Sequence, residues 1–171
     1  MHFHIPFRHH VEHTYLRNFI FGVEDSLVST VGLLAGVATA DMSRPALLTT
    51  GLVLIVVEGF SMGVGSFLTE ETTEEMDGTT PHPLAAVKGG LTMLASYIVA
   101  GLLPLMPYAF LVGTKAVAVS VTIALIGLFA LGYGTAVFYQ RPHPLRRASR
   151  MLLLGGSAVV IGMLIGKLFH L

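Results

Sequence analysis

Apolar residues run along this chain in five long stretches, Leu16 to Ala40, Pro45 to Phe67, Leu84 to Met106, Gly113 to Phe138 and Arg150 to Phe169. At ~1.5 Å of rise per residue, each can cross a ~30 Å hydrocarbon layer as a helix. The pattern predicts an all-α membrane protein with five transmembrane helices. Short connectors separate the stretches: DMSRP, the acidic TEETTEEMDGTTPHP, a Pro-Tyr turn and the basic YQRPHPLRR. The expected organisation is a His-rich cytosolic tail over 1–15, then a transmembrane domain over 16–171 with a short acidic cytosolic loop at 68–83. Arg8, Arg17, Lys88, Arg141, Arg146, Arg147 and Arg150 fall on one side of the membrane, and only Arg44, Lys115 and Lys167 on the other. Positive charge marks the inside, so the N-terminus is expected in the cytosol and the C-terminus, after five spans, on the opposite side. The N-terminal MHFHIPFRHHVEHTY has no apolar signal core, and helix one is expected to act as its own insertion signal.

Composition agrees with this reading. Hydrophobic residues make up 53% of the chain and charged residues 12%, where a soluble domain has about a quarter charged; the mean hydropathy is +0.75. The absence of cysteine excludes disulfides and thiolate metal sites. A net charge of zero argues against nucleic acid as a partner. Multi-pass insertion follows, into the plasma membrane if the source is a prokaryote, although the residues do not encode which membrane.

Against this apolar background two adjacent carboxylates, Glu24 and Asp25, stand inside the first stretch, LRNFIFGVEDSLVSTVGLLAGVATA. Fifteen uncharged residues follow Asp25, which puts it roughly 22 Å below the far end of the span. An ionisable group at such depth costs at least ~2.5–3.5 kcal/mol and normally faces a protein interior or a water-filled path. Asp25 shares its helix face with Ser29, Gly32 and Gly36, small residues that let helices approach closely, while Glu24 is turned ~100° away. Asp25 therefore ranks ahead of Glu24. In helix two, Glu58 lies thirteen residues beyond Pro45, or ~20 Å from the outer end, matching the depth of Asp25. Met62 is one turn further along the same face. Carboxylates suit Mg, Ca and Mn, and an added thioether moves the preference toward later metals such as Fe(II).

Half of the chain's ten acids, Glu70, Glu71, Glu74, Glu75 and Asp77, follow helix two. They read as a cation-collecting vestibule or as a solvated loop; on a continuing helix, Glu70 with Glu74 and Glu71 with Glu75 would repel at i, i+4 unless cations neutralise them. His2, His4, His9, His10 and His13 read as a mobile tail or as transition-metal capture. No HExxH, GxSxG or paired catalytic aspartate motif is present, so an enzyme is not expected.

Taken together, the first-helix stretch, SMGVGSFLTEE at the end of helix two, GLLPLMPY in helix three and LRRASRMLLLGGSAVVIGMLIGKLF in helix five resemble the vacuolar iron transporter family over nearly the whole chain. The resemblance implies a dimer of five-helix subunits with an ion path lined by helices one and two, moving Fe(II) or Mn(II) out of the cytosol against protons. It also implies metal-binding roles for Asp25, which matches the family's first-helix aspartate, and Met62, which matches its second-helix methionine. Three features differ: Glu24 and Ser26 flank Asp25 where the family usually has Asn and Gly, Leu54 stands where its second-helix glutamate usually lies, and the long metal-binding insertion after helix two is missing. The chain resembles the short, insertion-free members.

The expected function is thus a divalent metal transporter exchanging Fe2+ or Mn2+ for protons, with the metal as transported substrate and no prosthetic group. A passive cation channel and a non-transporting, metal-sensing membrane scaffold are the alternatives. The expected partners are metal ions, protons, the lipid bilayer and a second copy of the chain. One subunit offers few ligands for a hard cation that wants about six, so a homodimer is expected in which Ser29, Gly32 and Gly36 meet their own copy at a two-fold axis. The competing expectation packs this stripe on helix two of the same chain.

Overall fold

The computed structural model describes residues 7–76, 78 and 82–169. These form five helices, α1 Phe7–Thr39, α2 Arg44–Met76, α3 Pro83–Phe110, α4 Gly113–Phe138 and α5 Pro144–Leu168, with no strand among the described residues. Every helix is long and apolar enough to cross a membrane, and the chain is a multi-pass integral membrane protein.

Several boundaries differ from those expected. α1 is helical from Phe7, so the backbone at His9, His10 and His13 belongs to a helix rather than to a tail; His2 and His4 lie outside the described residues. α2 continues to Met76, which turns most of the expected acidic loop into helix. α5 starts at Pro144 instead of Arg150, because proline in a first helical turn forfeits no hydrogen bond. The expected Pro-Tyr turn is absent: α3 runs through Pro104 and Pro107 to Phe110. Interior proline removes backbone bonds, and neighbouring groups satisfy the carbonyls around it. Ser120 Oγ donates to the Pro104 carbonyl at 2.6 Å, and the Arg44 guanidinium donates to the Tyr108 and Ala109 carbonyls at the open end of α3.

α1 is the central helix and touches all four others, α3 and α5 most extensively. Its Leu27, Val31, Leu34 and Ala35 are almost wholly enclosed. The other helices turn large apolar side chains outward, as α2 does with Leu52, Val53, Val56, Val57 and Phe60. In a bilayer those faces meet lipid.

The glycine stripe of α1 is occupied within the chain. A Cβ on Gly32 would lie 3.1 Å from the Ala158 carbonyl oxygen, and one on Gly36 would lie 2.7 Å from that of Gly162. Gly162 and Gly166 in turn abut the carbonyls of Gly32 and Gly36. Gly32 and Gly36 therefore pack on α5, neither on helix two nor on a second copy, because glycines on both helices permit near-contact of the backbones. Since Gly32 faces Ala158 and Gly36 faces Gly162, α1 and α5 run parallel.

Gly162→Val is expected to destabilise this contact by ~1–3 kcal/mol through overpacking, lowering the thermal unfolding midpoint in detergent by several degrees. Gly134, where an added methyl group would meet nothing within 4 Å, provides the comparison, and Gly134→Ala should leave the midpoint unchanged or slightly raised. Equal midpoints for the two variants would refute the α1–α5 glycine contact.

Candidate functional site

α3 packs closely on both α1 and α2, whereas α1 and α2 touch each other sparingly. Polar side chains fill the seam between them. On α2, Glu58, Met62, Ser66, Glu70 and Glu74 are spaced four apart and so form one row along the helix. At the N-terminal end of α1, Thr14 Oγ1 donates to Glu70 at 3.3 Å and Arg17 pairs with the same carboxylate at 3.6 Å. One turn deeper, Asn18 Nδ2 donates to Ser66 Oγ at 2.8 Å. Glu58 lies two further turns along α2, or ~12 Å beyond Ser66.

At that depth three helices are tied together through Tyr97 of α3, which is fully buried. Its hydroxyl donates to Glu58 and lies 2.7 Å from Ser29 Oγ. A phenol has one proton to give, so Ser29 donates to Tyr97 and Tyr97 donates to Glu58, a relay of donors ending on the carboxylate. Ser26 Oγ donates to the Tyr97 carbonyl at 2.6 Å and fastens α1 to α3 at the same level. Asp25, one turn before Ser29 on α1, is half-buried. The two carboxylates singled out by depth thus stand at neighbouring levels of different helices, linked through Ser29 and Tyr97.

The remaining candidates are dispersed. Met62 is half-buried on the α2 row. Glu24 turns away from Asp25 into a separate pocket beside Arg141, Arg146, Arg147 and Arg150. Glu70 is engaged by α1, and Glu74 accepts the His82 backbone N–H at 2.7 Å, joining the end of α2 to the start of α3. Glu71 is half-buried and Glu75 exposed; Asp77 lies outside the described residues. Among the described residues, no three His, Asp or Glu side chains converge closely enough to hold a metal ion. A single chain supplies a carboxylate pair.

Tyr97, Asn18 and Ser66 are not legible as site residues from charge and depth. Seven residues, two helical turns, before Asp25 stands Asn18, and two steps of four beyond Glu58 stands Ser66; Tyr97, neutral and on a third helix, leaves no periodic signal.

A family model described as the VIT family matches residues 16–80 and 70–167, covering all the helices that build this seam. The chain belongs to the VIT family. Among its relatives, vacuolar iron transporter 1 of Eucalyptus grandis is 26% identical over 86% of this chain and 84% of its own. Vacuolar iron transporter homolog 1 of Oryza sativa subsp. japonica is 30% identical, over 91% of this chain and 74% of its own. Vacuolar iron transporter 1 of Arabidopsis thaliana is 24% identical over 93% and 90% respectively.

For this VIT-family chain, Tyr97→Phe keeps the ring and the Ser26 bond but removes the relay, and should cost ~1–2 kcal/mol of stability. Ser29→Ala in the same background should add less than it does alone, because the two hydroxyls share one chain. A double-mutant cycle by thermal or denaturant unfolding reads the coupling, expected at ~0.5 kcal/mol or more. Strict additivity would mean that the relay is not formed.

Proposed function

We propose that this chain moves divalent transition metal, Fe2+ or Mn2+, across the membrane and out of the cytosol in exchange for protons. The observation that carries the reading is the link from Glu58 of α2 through Tyr97 to Ser29 of α1, with Asp25 one turn before Ser29 on the same helix. Membership of the VIT family and the names of its relatives support metal as the cargo. Two nearby carboxylates in low dielectric resist joint ionisation unless a cation lies between them. A metal ion arriving from the Glu70 end would release a proton from the pair, and a proton arriving from the far side would release the metal. Met62, one turn nearer the Glu70 end, adds a soft ligand suited to Fe(II). Glu71 and Glu75, whose carboxylates no hydrogen bond or ion pair engages among the described residues, would concentrate cations at the entrance. A second copy of the chain would bring the ligand number closer to the six or so that such ions take, and we infer a homodimer on this ground.

Purified protein in liposomes loaded with a metal-sensitive and a pH-sensitive dye tests the proposal. Metal influx with matching proton efflux is expected; metal flux without proton movement would make the chain a channel, and no flux a scaffold. Asp25→Asn and Glu58→Gln should each lower flux by tenfold or more with the protein still folded. Wild-type flux in either variant removes that residue from the path.

Glu71→Gln combined with Glu75→Gln is expected to raise the metal concentration for half-maximal flux a few-fold with little change in the maximum. Added salt should reproduce the effect by screening. An unchanged concentration dependence would assign both residues to a solvated helix end.

A further inference from the structure

The pocket that takes Glu24 has a volume of ≈ 670 Å³ and lies between α1, the α4–α5 connector and the first turns of α5. Arg141, His143, Arg146, Arg147 and Arg150 line it together with that one carboxylate. None of the four arginines makes an ion pair among the described residues, and all four are exposed. The parallel register that sets Gly32 against Ala158 brings Glu24 level with Arg150. One carboxylate therefore offsets at most one of four fixed positive charges, and the guanidiniums, which stay protonated at any physiological pH, repel one another across an open cavity. The next turn of α5 presents Leu153 and Leu154 outward at 74% and 48% exposure. Charge above and bare aliphatic surface below, at the end of a membrane span, form a boundary between headgroup and hydrocarbon.

We propose that this pocket binds the phosphate-bearing headgroup of an anionic membrane lipid, its acyl chains lying along Leu153 and Leu154. Guanidinium groups match phosphate oxygens in paired hydrogen bonds, and basic pockets between spans at the membrane boundary take anionic headgroups in this manner. A free phosphate ion would satisfy the same arginines without using the apolar flank. The inference stands apart from metal transport, since none of these arginines belongs to the α1–α2–α3 seam.

The test uses the full chain in nanodiscs of phosphatidylcholine with or without phosphatidate, read by thermal unfolding. Phosphatidate should raise the wild-type midpoint by several degrees. The triple variant R146Q/R147Q/R150Q should lose at least half of that rise, while K88Q, outside the pocket, should keep it. Native mass spectra of the wild type from mixed discs supply a readout that does not depend on how the variant folds, with phosphatidate expected to be enriched over its bulk proportion. Retention of the full rise by the triple variant, or lipid carried only in bulk proportion, would overturn the proposal. Equal stabilisation of the wild type by inorganic phosphate in neutral discs would assign the pocket to a soluble anion and overturn the lipid reading.

Discussion

Hydrocarbon offers no hydrogen-bond partner, and the arrangement of this chain follows from that one constraint. Polar groups that enter the bundle are answered largely from within it, although Thr30 Oγ1 and the Tyr108 hydroxyl are buried without a hydrogen-bond partner among the described residues. Asn18 meets Ser66, and Tyr97 stands between Ser29 and Glu58. Ser120 and Arg44 answer carbonyls of the proline-containing helix. Thr14, Asn18, Ser29, Glu58, Ser66 and Glu70 of α1 and α2 gather on the seam that α3 backs, and the aliphatic faces of α2, α4 and α5 turn outward. Carboxylates cost too much to be left bare at such depth, and here Glu58 accepts from Tyr97 while Asp25 is half-buried in the bundle.

The number of spans is readable from the chain because hydropathy measures what lipid requires. So is the common depth of Asp25 and Glu58, which follows from counting residues inward from the helix ends. Helical phase also separates Asp25 from Glu24, which face different surroundings. The partner of the glycine stripe is not readable. Periodicity says which residues share a face, but the choice among four neighbouring helices rests on shape, and α5 wins because it brings Gly162 and Gly166 to the same register. Helix ends escape for another reason, since α2 passes beyond its apolar stretch on polar contacts such as Glu74 with His82, which hydropathy does not register. Tyr97 is hidden because a neutral ring in an apolar helix looks like packing until its hydroxyl has somewhere to go.

The central position of α1 changes how subunits could associate. With Gly32 and Gly36 closed against α5, little of its surface between Gly22 and Ala40 is fully exposed. The broad apolar surface of this half of the molecule belongs to α2, through Val53, Val56, Val57 and Phe60. Glu58 stands on the same helix, so a copy arriving along α2 would approach the carboxylate pair from the side that α3 leaves open.

The parallel contact of α1 with α5 also bears on how the molecule is made. Chains insert from the N-terminus as they are synthesised, so of these five helices α1 enters the membrane before the others and its packing partner α5 after them. Until Gly162 and Gly166 arrive, the glycine face of α1 is bare, and Glu24 and Asp25 sit in a helix without its final walls. The first span is thus the last to be enclosed, and its two acids make it dependent on whatever shields nascent helices during assembly.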